Sequence, residues 1–360
     1  MTLRWRDIDW VLLLLVLAIC CIGVVQIYSA TLGTKFAGVY VKQMEFVGLG
    51  LVLMLIMARL DYKLLLTSAP WLYGGAVALL AGVLVVGKAI FHSRRWIPVA
   101  GAHLQVSEFV KLVIIIAVAR YFSDEARRGS GWKEMILAGL IVAFPMLLVM
   151  REPDLGTALT YLPIAVMGLL MSGMSWRYFA LVVLAGMLVL PVGWHLLHPY
   201  QRERLETFWR PQTDPLGSGY QVLQSKIAVG AGGLWGQGWA RGTQTRGAFL
   251  PVPQTDFIFA AFAEERGFVG ALVLLLLYLL ILMRLMQNAQ LAPDRAGGLL
   301  IMGVVAVLAF HILVNVGMVV GMMPVTGIPL PLMSSGGSSL LFMFMALGMV
   351  MNIRMSRFVN

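Results

Sequence analysis

Long apolar runs separated by short polar segments dominate this chain. A run of about 20 apolar residues crosses the hydrocarbon core of a bilayer as a helix. Ten runs approach that length, over residues 10–30, 43–60, 70–91, 106–122, 135–150, 155–173, 177–197, 257–286, 297–322 and 338–351. The pattern predicts an all-α, polytopic integral membrane protein with about ten transmembrane helices, organised as a single transmembrane domain over residues 1–360. An even number of spans puts both termini on one side. Arg4 and Arg6 precede the first run as in a signal peptide, but the run reaches roughly 20 residues without a small-residue cleavage pattern. It reads as a retained span. One segment departs from the pattern. Residues 198–256, between the seventh and eighth runs, are polar and rich in Gly, Trp and Arg. A segment this long among short connections is a functional loop rather than a connector.

Composition sharpens the class. Of 360 residues, 60% are apolar and only 12% charged, against roughly 25% charged in soluble domains. A soluble enzyme, a disordered chain and a fibre are all excluded. The net charge of +10 would suggest nucleic acid in a soluble protein. Here the positive-inside rule accounts for it. With the N-terminus inside, thirteen Lys and Arg fall on the cytoplasmic side and six in short outer loops. The bias predicts a multi-pass protein of a bacterial cytoplasmic membrane, both termini cytoplasmic and the 198–256 loop extracytoplasmic; membrane lipids are partners and nucleic acid is not. Cys20 and Cys21, adjacent within an apolar run, offer no disulfide framework.

Charges inside or beside spans cost at least about 2.5 kcal/mol each unless paired or hydrated, so each is a candidate for function. Glu108 and Lys111, three apart near the outer end of the fourth span, share a helix face and read either as an ion pair or as a substrate contact. Glu264, Glu265 and Arg266 lie about 12 Å inside the eighth span, where they favour a network between helices, and Gly267 after them permits a kink. Asp154, before the sixth span, fits a helix cap. Asp256 ends the loop and divides evenly between cap and catalyst, with Thr255 equally able to cap.

The loop's Arg202, Arg204, Arg210, Lys226, Arg241 and Arg246 alternate with aromatic residues. That pattern suits pyrophosphate and sugar binding, and equally an interfacial belt of snorkelling cations. Gly230 to Gly238 supplies many glycines but lacks the G-K-[ST] end and the strand–turn–helix setting of a nucleotide site. The five histidines are scattered, which argues against a protein-only zinc site.

Several separated segments resemble the RodA/FtsW/SpoVE (SEDS) family, over almost the whole chain. They are Asn315-Val316-Gly317-Met318, Pro324 to Pro331 (PVTGIPLP), Ser335 to Ser339 (SGGSS), Tyr200-Gln201-Arg202, Asp214 to Gln221, Gln224-Ser225-Lys226, Gly242-Thr243-Gln244, Thr255-Asp256-Phe257, Arg95-Trp96-Ile97, Ser107-Glu108-Phe109 after Gln105, and Glu152 to Thr157. The PVTGIPLP run resembles the elongation branch rather than the division branch (FtsW). Val106, Ser335, Gln237 and the Val252-Pro253-Gln254 triplet depart from the family pattern.

The resemblance implies a peptidoglycan glycosyltransferase that polymerises lipid II into β-1,4 glycan strands for cell-wall elongation and rod shape. It implies a class B penicillin-binding protein (transpeptidase) as partner. The family's essential Asp falls on Asp256 and its buried Glu/Lys pair on Glu108 and Lys111. In that chemistry Asp256 is the general base. Lys111, Glu108, Arg95, Asp154, Arg202, Arg204, Lys226, Arg241 and Gln244 are the candidate substrate-binding residues. The cations would hold the pyrophosphate alone or with a divalent cation (Mg or Mn), with no organic cofactor. Lipid II flippase, non-catalytic scaffold for the penicillin-binding protein and division-branch polymerase (FtsW) are the competing readings.

Overall fold

The computed structural model describes residues 8–86, 88–90, 93–99, 102–125, 132–173, 199–210 and 217–357, with isolated positions between them. Its helices are α1 (Trp10–Thr31), α2 (Val39–Arg59), α3 (Tyr62–Thr67), α4 (Ala69–Val86), α5 (Val106–Glu125), α6 (Trp132–Arg151), α7 (Leu155–Leu159) and α8 (Leu162–Met171). After these come α9 (Pro199–Trp209), α10 (Ser218–Ala231), α11 (Thr243–Arg246), α12 (Ile258–Gln290), α13 (Arg295–Val319) and α14 (Gly337–Ser356). Six of them, α1, α2, α6, α12, α13 and α14, are long and apolar enough to cross a membrane. The seventh sequence-predicted span, 177–197, lies outside the described residues apart from isolated positions.

Aspartates start several of these helices. Asp9 accepts from Leu12 N, Asp61 from Lys63 N, Asp154 from Thr157 N and Asp294 from Gly297 N. Each satisfies a backbone N–H that the first turn cannot bond internally. The core is deepest around α14, which packs closely on α2. A side chain on Gly348 would collide with the Met54 backbone, so glycine lets the two helices approach.

Two expectations need correcting. The third span stops at Val86, and the chain after it forms a three-stranded antiparallel sheet, β1 (Lys88–Ile90), β2 (Ser93–Val99) and β3 (Ala102–Gln105). Trp96 pairs with Gln105 and Val99 with Ala102. The all-α expectation therefore gives way to a helical fold carrying one small sheet. The sixth span is likewise two helices. Pro163, at the start of α8, has no N–H to return to the carbonyl four residues back, and α7 ends at Leu159.

The kink at Gly267 is larger than a bend. Gly267 has φ +68° and ψ −169° within α12, which glycine adopts at little cost. The break strips Glu264 and Glu265 carbonyls of their helical donors, Phe268 N and Val269 N. The glycine-rich loop supplies replacements on both sides. Gln237 N and Gly238 N donate to the Glu264 and Glu265 carbonyls at 3.0 and 3.1 Å, while Phe268 N and Val269 N donate to Gly233 O and Leu234 O at 2.8 and 3.1 Å. At membrane depth, such unpaired backbone groups would each cost several kcal/mol. The glycines of 230–238 therefore serve a backbone insertion that repairs a broken helix.

Candidate active site

A cleft of about 760 Å³ opens where β2, β3 and the starts of α5, α7 and α14 meet α9 and the 324–329 segment. Asp256 lines it, one residue before Phe257, the N-cap position of α12. Phe257 provides no side-chain cap, and the Thr255 hydroxyl donates to Val252 O at 3.4 Å.

The backbone leading to α12 is held at three consecutive carbonyls. Gln254 O accepts from Ser335 N at 2.9 Å, Thr255 O from Ser334 Oγ at 2.7 Å, and Asp256 O from Asn315 Nδ2 at 2.9 Å. The carboxylate shares its surroundings with Arg204 on α9. A methyl group placed on Gly327 (φ +73°) would lie 3.6 Å from Asp256 Oδ2 and 4.0 Å from Arg204 Nη1. A carboxylate and a guanidinium thus converge over a residue that leaves the space open. Arg204 Nη1 also donates to Val325 O at 3.3 Å.

The opposing wall is polar and tightly bonded. Asp154 is the N-cap of α7, with Oδ1 accepting from Thr157 N at 3.1 Å. Its Oδ2 accepts from Thr157 Oγ1 at 2.8 Å and Gln105 Nε2 at 2.5 Å. The capping role is thus observed, and Asp154 also faces the cleft. Glu108 lines the cleft, while Lys111 lies fully buried behind it and donates to Glu108 Oε2 at 2.8 Å. Lys111 Nζ is 3.3 Å from His311 Nε2 and 4.6 Å from the Phe342 ring centroid.

The other sequence-predicted residues distribute unevenly. Of the loop cations, Arg204 lines the cleft; Arg202, Lys226 and Arg241 are not among its lining residues. Lys226 instead lies against Gly321, just past the C-terminus of α13. Gln244 also stands apart, on α11, with its backbone N–H donating to Glu264 Oε1 at 2.7 Å. Thr245 N and Oγ1 donate to Glu264 Oε2 at 3.1 and 2.7 Å. Glu264 therefore caps α11, and Ser29 donates to Glu265 at 2.5 Å. These are the helix-linking contacts expected of the Glu264–Glu265 pair. The Arg95 side chain lies outside the described residues. Among the described residues no group of three or more His, Cys, Asp or Glu gathers that could hold a metal ion. Sequence reasoning gave no individual role to Asn315, His311 or Gln105. Its available signal was polar residues four apart on the apolar α13.

The Cell cycle protein family profile, FtsW/RodA/SpoVE, matches residues 9–358. The chain is 38% identical over 351 residues to peptidoglycan glycosyltransferase MrdB of Escherichia coli K12, covering 97% of this chain and 94% of that protein. It is 33% identical to peptidoglycan glycosyltransferase RodA of Treponema pallidum, covering 96% and 97% of the two chains. Among solved structures, a chain from work on the structural coordination of polymerization and crosslinking by a peptidoglycan synthase complex superposes with TM-score 0.85. It is 35% identical and covers 99% of this chain and 100% of its own length. The crystal structure of Thermus thermophilus rod shape determining protein RodA gives TM-score 0.74 at 30% identity, covering 99% of both chains. Matched over nearly its full length, the chain belongs to the FtsW/RodA/SpoVE family.

Proposed function

We propose that this chain is a membrane-embedded peptidoglycan glycosyltransferase of the elongation type, polymerising lipid II with Asp256 as general base. The observation that carries the reading is the Asp256 carboxylate, held on a pinned backbone beside Arg204 in a cleft large enough for a sugar headgroup. Asp256 takes the proton from the 4-hydroxyl of the acceptor sugar as its oxygen attacks C1 of the donor. The C1–O bond to the polyprenyl pyrophosphate breaks on the opposite face, so an α-linked donor gives a β-1,4 link. Arg204 stabilises negative charge developing on the departing pyrophosphate, a contribution that grows in a water-poor site. Asp154 and Gln105 offer hydrogen-bonding groups to the sugar, and Lys111 acts through Glu108.

In this reading the chain makes about ten spans, including 177–197, with both termini cytoplasmic and the 198–256 loop extracytoplasmic. A class B penicillin-binding protein supplies the crosslinking activity. A relative belonging to a synthase complex that coordinates polymerization and crosslinking supports that partnership. Purified chain with its transpeptidase partner and lipid II is expected to yield glycan polymer on a gel. Translocation of lipid II across vesicles without polymer would contradict this and favour a flippase.

A further inference from the structure

His311 and Asn315 lie one turn apart on α13, both fully buried, on a helix otherwise apolar at that level. Both reach the same segment of the cleft floor. Asn315 Nδ2 bridges Asp256 O at 2.9 Å and Ile328 O at 2.8 Å. His311 bridges Lys111 and the next carbonyl along, with Nε2 at 3.3 Å from Lys111 Nζ and Nδ1 at 3.3 Å from Pro329 O. An ammonium has only donors and a carbonyl only acceptors. His311 therefore satisfies both neighbours as the neutral Nδ1–H tautomer, accepting at Nε2 and donating at Nδ1. The two side chains complete a continuous path from Glu108 through Lys111, His311, Pro329, Ile328 and Asn315 to Asp256. It joins the two walls of the cleft through adjacent peptide units, not through separate loops.

We propose that His311 and Asn315 are positioning residues of glycosyl transfer, fixing the Glu108–Lys111 pair and Asp256 relative to each other. The inference rests on Asp256 being the general base. Neither residue lines the cleft, so each acts through the residue it holds. Attack geometry in a transfer reaction is sensitive to displacements of about 1 Å, which cost up to roughly 100-fold in rate. The expected signature is thus a loss of turnover with substrate binding retained.

The test compares His311→Gln, which keeps an acceptor and a donor at similar reach, with His311→Leu, which keeps neither. Asn315→Ser, too short to bridge two carbonyls, is the third variant. Each is assayed as the full chain with its transpeptidase partner on lipid II, with rates normalised to folded protein by size-exclusion and thermal unfolding. His311→Leu and Asn315→Ser are expected to lose at least tenfold in kcat with KM within about threefold, and His311→Gln to recover most of the loss. If His311→Leu yields no folded protein, His311→Asn, which cannot span from Lys111 to Pro329, takes its place. Wild-type kcat in the non-bridging variants, or a rise in KM alone, overturns the proposal. Asp256→Asn runs beside them. Its inactivity with unaltered His311→Leu and Asn315→Ser overturns positioning alone, whereas its full activity removes the general base as well.

Discussion

Two clusters of buried charge sit at opposite ends of α12 and α14, and they are built differently. At the C-terminal ends of these helices, Asp9 receives Arg284 Nε on both oxygens at 3.0 and 2.9 Å, Asn288 Nδ2 at 2.9 Å, and Arg354. Arg354 also donates to Asn288 Oδ1 at 2.9 Å. This ring is closed, ties α1 to α12 and α14, and is not part of the described cleft. At the N-terminal ends, Glu108, Asp154 and Asp256 are each held from behind but face a cavity. Buried carboxylates are common to both, Asp9 in one and Glu108 and Asp154 in the other. What separates them is whether space remains for a substrate to meet the charge.

That contrast predicts that the closed ring governs folding and the open one turnover. The largest stability effect falls on Asp9→Ala. It strands two guanidiniums and is expected to cost about 2–4 kcal/mol, less than a fully buried pair because both are about a quarter exposed. Thermal unfolding in detergent measures it, and turnover per folded molecule is expected to stay near wild type. A variant that stays as stable but loses activity would erase the distinction.

Lys111→Ala comes next, because it leaves Glu108 as a buried carboxylate without its cation. It is expected to destabilise more than the double variant Lys111→Ala with Glu108→Ala. A double variant no better folded than the single would break the pairing argument. Gly267→Ala is expected to cost about 1–3 kcal/mol, through a positive φ and a clash with the inserted loop. Hydrogen exchange at Phe268 and Val269 would reveal the loosened insertion. The smallest effect is Lys226→Ala, about 0.3–1 kcal/mol from losing a cation at a helix C-terminus. Polymerisation within twofold of wild type checks that Lys226 works outside the cleft.

How much of this was legible beforehand depended on whether the signal was local. The apolar runs place α1, α2, α12, α13 and α14 with ends up to about five residues from those observed, because length and hydropathy decide that a span exists but not where it stops. Asp154, Asp256 and the Glu108–Lys111 pair stood out because charge beside a membrane is expensive. The loop cations could not be separated. Arg204 reaches the cleft and Lys226 does not because of where α9 and α10 pack, which no spacing within the loop encodes. The glycines of 230–238 were equally opaque. Their purpose is set by carbonyls at Glu264 and Glu265, which lose their partners only once α12 breaks. The sheet of β1, β2 and β3 is not legible in the hydropathy, because the third apolar run continues to residue 91, past the Val86 end of α4.

The most direct measurement is the polymerisation rate of Asp256→Asn, prepared with its transpeptidase partner and matched to wild type by thermal unfolding. The change keeps the shape of the side chain and removes its basicity. Loss of a general base predicts a rate at least roughly 100-fold lower with an unchanged unfolding temperature. Glycan polymer formed at the wild-type rate by a properly folded Asp256→Asn enzyme would contradict the account.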